Sequence, residues 1–449
     1  MILSDRLFLE QFINVSGSVE NPVSFTYSGE FIDENDKVIP IVNILKINIT
    51  SNFVEHMSDT IIMSLDMFKS EYFKLLKANR KMLSFRLTKT QCSFTGIISS
   101  DAKSTSKLYD VQLLDNTSEA IETRIGGLTG TDFDDLGEFK EVNIQLIEKG
   151  LSEFRLWYVP TKAYKNHNVA KLIQALMSTP MKTLDKTMNK GFNCTVYPVD
   201  NQETLYQRVV PQGTLLYKLP KYLQMSRGVY GNGIGSYLLN GMWYVFPPYK
   251  INRYLNDKKK MTIINVPRNE MMGNNNSYFI DKSSGEIFVY ATGNTKHIDN
   301  SDRHLNKHGT GFRTVNSDNL SSHFTTSKNG VVSIPPKQNL IDVNFDSRDS
   351  DLENINARTM SSGNRYQLAS DIVKGMTNTI VVNWEYSNLD LVFPGMPVRF
   401  IYKYNESPYS LKGTIGGIIT NIEAPQKTKV DHRYKPISQL ILITERATR

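Results

Sequence analysis

The chain has 449 residues, too many for one compact domain, with 40% apolar and 22% charged residues, the make-up of a folded rather than a disordered protein. Its net charge of +7 is unevenly placed: residues 1–60 hold nine acids and three bases, residues 61–110 nine bases and four acids. No basic run is interleaved with the aromatics that stack on nucleic-acid bases, so the asymmetry reads as complementary faces in an assembly.

The opening "MILSDRLFLEQF" lacks the apolar core of a secretory signal, being interrupted by Asp5, Arg6 and Glu10. No stretch reaches the ~18 uncharged apolar residues of a membrane-spanning segment. The chain is therefore expected to fold in a reducing cytoplasm. Cys92 and Cys194 each sit in a strand-like run and read as small buried hydrophobes rather than a disulfide or metal pair.

The first quarter is strand-rich. "SFTYSGEF", "VIPIVNILKINI", "TIIMSLDM", "LSFRLTK", "CSFTGIISS" and "KLYDVQLLD" follow one another at short spacing. Ile61, Met63, Leu65 and Met67 share one face, as do Tyr109, Val111 and Leu113; several short strands of this kind point to a barrel or sandwich. Residues 68–80 have the period of one short helix. In the middle, 168–178 is helical, with Asn168 as N-cap and Pro180 beyond its end. Residues 214–250 read as a helix broken near Pro220, a glycine-rich loop and a hairpin turning at Asn240-Gly241, a type I′ signal. Residues 261–360 are rich in Asn, Ser, Asp and Gly and read as loops with a few short strands such as "EIFVYAT". A helix over 365–376 precedes a final β-region.

That region contains "LVFPGMPVRFIY", residues 391–402. Pro394 and Gly395 suit the second and third positions of a type II turn, and Pro397 sends the chain on in extended form. The two ends of the chain resemble each other. Strands at 60–67, 82–89, 94–100 and 108–115 are matched in order by strands at 379–386, 397–403, 415–421 and 438–444. Gly416 and Gly417 fall in the third of the later set. In the fourth, Leu440 and Leu442 lie on one face and Ile441 and Ile443 on the other, so both faces are apolar. Something, a domain or a second subunit, is expected to cover the outer one.

The fold class expected is therefore mainly β, with two similar small antiparallel β-barrels flanking a central α/β region. The divisions are a first barrel over 1–115, a connecting segment over 116–165, an α/β insertion over 166–260, a loop-rich segment over 261–360 and a second barrel over 361–449.

Signs of catalysis are thin. His297, His304, His308 and His323 cluster in the loop-rich segment with Asp299 and Asp302, but "RHLNKHGTG" is a poor helix and lacks the Glu of a zinc hydrolase; they read as loop histidines, a structural metal being the alternative. "GVYGNGIGS" lacks the Gly-Lys-Ser/Thr ending of a phosphate loop. "DFDDLG" starts like a calcium loop, but Leu136 and Asn143 stand where ligands belong. No serine nucleophile elbow is present. The chain is expected not to be an enzyme and to carry no cofactor.

Residues 365–423, with their order of helix, strand, Pro-Gly turn, strand, hairpin and final strands, together with the hairpin "YGNGIGSYLLNGMWYVFPP", resemble the baseplate hub protein of contractile-tailed bacteriophages, related to the hub part of type VI secretion spike proteins. The layout is similar across nearly the whole chain, except for the first ~20 residues and 261–360. The resemblance implies a structural virion protein of the tail baseplate, made in the host cytoplasm. It implies a homotrimer whose two barrels per chain form a six-membered ring, joining the sixfold tail tube, on the side of the first barrel, to the threefold central spike. Other baseplate wedge proteins are implied partners, and whether the lumen meets the tape-measure protein or DNA stays open. The alternative is a receptor- or carbohydrate-binding virion protein, which would not need two like barrels in one chain. A cell-wall hydrolase is the third reading, lowered by the absence of a marked acid or nucleophile.

Overall fold

In the computed structural model the described residues are 24–78, 82–92, 103–114, 139–160, 163–188, 193–209, 213–266, 277–281, 283–299, short strands between 311 and 356, 365–375, 377–404, 407–424 and 434–445. The run 94–100, the stretch 132–137, and His304, His308 and His323 lie outside them.

The first part contains β1 (Ser24–Ile32), β2 (Val38–Pro40), β3 (Asn43–Asn52), β4 (Thr60–Phe68), α1 (Lys69–Lys77), β5 (Ser84–Cys92), β6 (Ser104–Leu113) and β7 (Phe139–Glu148). Strict alternation builds β4: Ile61, Met63, Leu65 and Met67 are buried while Ile62 and Phe68 are exposed. They meet Ile44, Ile47, Phe85, Ile144 and Leu146 in one core, closed by Ile422 and Tyr434 from the far end of the chain.

The insertion follows with α2 (Leu151–Phe154), β8 (Ala163–His167), α3 (Val169–Met188), β9 (Asn193–Val196), β10 (Leu205–Val209), α4 (Leu219–Arg227), β11 (Gly235–Leu239) and β12 (Met242–Phe246). Asn168 caps α3, its Oδ1 accepting from the Lys171 N–H at 2.9 Å. The helix does not stop before Pro180; it runs through that residue to Met188. A proline there forfeits one rung of the ladder, but the buried face Val169, Leu172, Ile173 and Met177 anchors the first turns. Pro220 likewise breaks nothing. It stands in the first turn of α4, where its missing N–H is one of the unpaired four. The hairpin turns where expected, with Asn240 at φ 53° and Gly241 at φ 75°. Leu238, Trp243 and Val245 face the helices, whereas Tyr237 and Phe246 face the opposite way, into the core of the second half.

The remainder comprises β13 (Met261–Val266), β14 (Tyr278–Ile280), β15 (Ile287–Asp299), five short strands (β16, Gly311–Val315; β17, Thr325–Thr326; β18, Val332–Ser333; β19, Ile341–Asn344; β20, Leu352–Asn356), α5 (Arg365–Gly375), β21 (Thr377–Glu385), β22 (Pro397–Tyr404), β23 (Ser407–Glu423) and β24 (Lys435–Glu445). The start of the segment read as loop-rich is thus strand: β13 and β15 run parallel to each other and stand between β22 and β21. The strands that flank them lie far along the chain, β21 roughly 80–90 residues beyond its partners in β15 and β22 roughly 140 beyond those in β13, so local composition gave no sign of them.

Two distinct barrels are not shown, because the strands of both halves belong to one continuous sheet. One 14-stranded sheet runs in the order β2-β1-β5-β6-β7-β4-β3-β23-β22-β13-β15-β21-β24, with β14 beside β15 and β23 also pairing β24. The halves are continuous because β3 of the first pairs antiparallel with β23 of the second. Within that sheet a repeat is plain. The neighbour order β5-β6-β7-β4 recurs as β22-β23-β24-β21, antiparallel throughout, and β3 flanks β4 as β15 flanks β21. The fourth member of the first set is β7, and the 108–115 strand matched to β24 from sequence corresponds instead to the third of the later set, β23; 94–100 lies outside the described residues.

Candidate functional site: the seam between the two halves

β23 is 17 residues long because it serves both halves. Ser407–Thr414 pair with β22, and Gly417–Glu423 pair with β3. Gly416 and Gly417 stand at the handover, where a bulge between Ile415 and Gly417 shifts the register against β24. A side chain on Gly417 would place its Cβ 2.6 Å from the Ser51 carbonyl oxygen; on Gly416 it would meet the end of the Ile443 side chain at 2.9 Å. The Gly416 carbonyl accepts from the Phe53 N–H at 2.9 Å. Two glycines let the strand bend and let β3 approach. At the far end of the joint Lys46 and Glu423 pair at 3.2 Å, an exposed contact that sets register more than stability.

The Pro394-Gly395 turn lies near this handover. Gly395 has φ 73°, and the Met396 N–H donates to the Phe393 carbonyl at 3.1 Å, as the turn requires. A Cβ on Gly395 would collide with the Phe246 ring. Its carbonyl accepts from Arg253 Nη1 at 2.9 Å, and that guanidinium, almost wholly buried, is neutralised by Asp257 at 2.6 Å and lies 4.1 Å from the Tyr197 ring centroid. Pro397 opens β22 opposite Thr414. The turn therefore docks the second half on the insertion.

In β24, Leu440 and Leu442 are fully buried in the second core. Ile443 is 7% exposed and Ile441 half-buried. On that outer side Ile443 packs over Gly416, and Thr414, opposite it in the ladder, hydrogen-bonds the Pro248 carbonyl. The segment from Pro247 through the 3-10 turn Ile251–Leu255 covers the place, so at Ile443 the cover comes from the same chain.

Charged groups also gather at the seam, around a cavity of about 120 Å³ between β3–β6, the hairpin tip and residues 389–392. Asp59 accepts from Ser51 Oγ at 2.5 Å and from Tyr237 OH at 2.6 Å, and burial pushes its carboxyl above the usual range. Glu148 accepts from the Gly241 N–H at 2.8 Å and is pushed up to about 6 by burial. Lys107 donates to Asn240. Lys89 donates to Asp390 at 2.7 Å, and burial lowers its pKa. Apart from the Ser51–Asp59 bond, which lies within the first half, each bond joins the first half to the hairpin or to the second half, so the arrangement clamps three units together. Nothing in the sequence pointed to these four residues. They lie apart along the chain and none falls in a motif.

Both cysteines are buried and neither is in a disulfide, and burial pushes the Cys194 thiol up to about 12. Among the described residues no group of three His, Cys, Asp or Glu is placed to hold a metal ion. No helix among them is long and apolar enough to cross a membrane.

No family model matches the sequence, and no curated protein matches it. Solved structures do. The chain is similar to the 43 kDa tail protein of prophage MuSo2 from Shewanella oneidensis, at 10% identity and a TM-score of 0.47, covering 93% of this chain and 98% of that one. It is also similar to the Francisella PdpA-VgrG complex, at 9% identity and a TM-score of 0.35, covering 99% of this chain and 62% of that one. Both TM-scores lie below 0.5, so the functional reading below stands on the chain's own strand order.

Proposed function

We propose that the protein is a structural component of a contractile tail: a baseplate hub that, as a trimer, joins the sixfold tail tube to the threefold central spike. The observation that carries this reading is the recurrence of β5-β6-β7-β4 as β22-β23-β24-β21 within one chain. A part between sixfold and threefold neighbours needs six near-equivalent edges from three copies, and two like halves per chain supply them. The seam fits a mechanical role: it is held by a shared strand, a buried arginine and a clamp of polar bonds. On this reading tube and spike occupy opposite faces of the ring, and wedge proteins its rim.

The test is the mass of the purified chain by light scattering across concentrations. A species near three times 51.1 kDa is expected. A chain that stays monomeric alone and with its spike protein would refute the ring and move the receptor- or carbohydrate-binding reading ahead.

A further inference from the structure

We infer that the seam inside the chain is repeated between chains: the outer edge of β15 in one copy pairs antiparallel with the end of β6 in the next.

The two strand sets correspond residue by residue. Ile61 pairs Leu146 as Ile380 pairs Leu442. Ser84 pairs Asp110 as Pro397 pairs Thr414, and Asp110 pairs Ile147 as Thr414 pairs Ile443. The flanking strands obey the same register, since Ile49 faces Ile61 as His297 faces Ile380. Thr50 and Ser51 of β3 therefore correspond to Ile298 and Asp299 of β15. Beyond the bulge, Ile418 faces Leu440 as Leu113 faces Ile144. The next position, Ile419, corresponds to Leu114, whose N–H continues the ladder to the Asn143 carbonyl at 2.9 Å.

In the first half the free side of β3 is taken by β23 over seven paired positions, Lys46 through Asn52. In the second half the matching side of β15 is taken by β13 only as far as Thr292. Among the described residues no strand pairs with positions 293–299 on that side, and none pairs with β6 beyond Asp110 on the side away from β7. These are the counterparts of the two edges that meet inside the chain. Unpaired strand edges recruit strands, and the pair that the chain already joins internally defines the register. Thr50–Ile419 becomes Ile298 against Leu114 of a second copy; Ser51–Ile418 becomes Asp299 against Leu113. The contact is head-to-tail, and it closes at three copies if each such joint turns the chain as the internal one does. The number of copies rests on the hub reading; the pairing itself rests on the register.

The test uses the full chain carrying Ile298→Cys and Leu114→Cys, oxidised and run on a non-reducing gel beside each single variant. Covalent species at two and three times the chain mass are expected, absent from both single variants and lost on reduction. Asp299→Cys with Leu113→Cys guards against a folding failure of the first pair. Ile298→Cys with Gln112→Cys, two residues out of register, should link at least tenfold more slowly. A trimeric mass in solution with neither in-register pair linking would overturn the pairing and leave the ring standing. A ladder running well past three copies would support the pairing and overturn closure at three. A chain that is monomeric alone and with its spike, and never cross-links, overturns both.

Discussion

Gly417 is where β23 changes partner, and Gly417→Ala tests whether the seam depends on the missing side chain. The new Cβ would lie 2.6 Å from the Ser51 carbonyl oxygen and 3.4 Å from Asn52 Cα. Both are β3 backbone atoms, so no rotamer change relieves them; β3 has to retreat. Overpacking of this sort costs ~1–3 kcal/mol, and each ladder hydrogen bond stretched beyond use adds ~1 kcal/mol. A loss of about 2–4 kcal/mol is expected from the two together. Gly416→Ala, one residue earlier, is the control. Its Cβ meets the Ile443 Cδ1 at 2.9 Å and Cγ1 at 3.0 Å, the mobile end of a side chain, so the loss should stay under ~1 kcal/mol. Urea unfolding gives the two stabilities, and hydrogen exchange over 46–52 and 417–423 shows where the loss falls. Equal effects from the two alanines, or a Gly417→Ala chain within ~0.5 kcal/mol of the parent, would refute the reasoning.

Three further outcomes follow from the seam. Arg253→Ala leaves the Gly395 carbonyl and Asp257 without their partner and should cost ~3 kcal/mol in denaturant unfolding; Arg253→Lys should recover little, having no planar fork to reach both, and a full rescue would count against the contact. Glu148 is held at about 6 against its usual 4.5, so protonation favours the folded state: stability is gained as pH falls from above 6 toward 4.5, and the charge costs ~2 kcal/mol at pH 7. Glu148→Gln keeps an acceptor for Gly241, so its thermal midpoint should exceed the parent's at pH 7 and the gap should close by pH 4.5; a variant less stable than the parent at both would contradict the assignment. Asp59→Asn retains an oxygen for Ser51 and Tyr237 and should stay within ~1 kcal/mol, whereas Asp59→Ala strands both hydroxyls and should cost ~2–4 kcal/mol, measured by the same urea titration.

Local patterns were legible and long-range pairings were not. The alternation in 60–67 gave the face of β4, Asn168 gave the start of α3, and Asn240-Gly241 gave the hairpin tip, since each depends on residues a few positions apart. The likeness of the chain's ends was also readable, because strands 379–386, 397–403 and 438–444 keep their spacing. Its last member was mismatched: 108–115 was set against β24, whose counterpart β7 comes only after a long intervening stretch. The second half of β15 was missed because "GNTKHID" lacks alternation and takes its partner, β21, from roughly 80 residues further on, while β13 pairs only with the first half, as far as Thr292. Fusion of two expected barrels into one sheet hangs on β3 meeting β23, some 370 residues apart; no window of sequence holds both. The polar clamp was hidden for the same reason, while Gly416 and Gly417 were conspicuous because paired glycines inside a strand ask for a cause.

The shared strand also sets the order in which the protein can be finished. β3 leaves the ribosome early, but Ser407, the first residue of β23, follows Asn52 by roughly 350 positions. At ~5–20 residues per second that is a wait on the order of tens of seconds. Throughout it, β3 presents a bare edge to any other nascent chain in reach, with Lys46 as the one charge along it to discourage a wrong strand. A chain cut short anywhere before residue 417 would keep that edge permanently, so premature termination should yield sticky fragments rather than a stable first half.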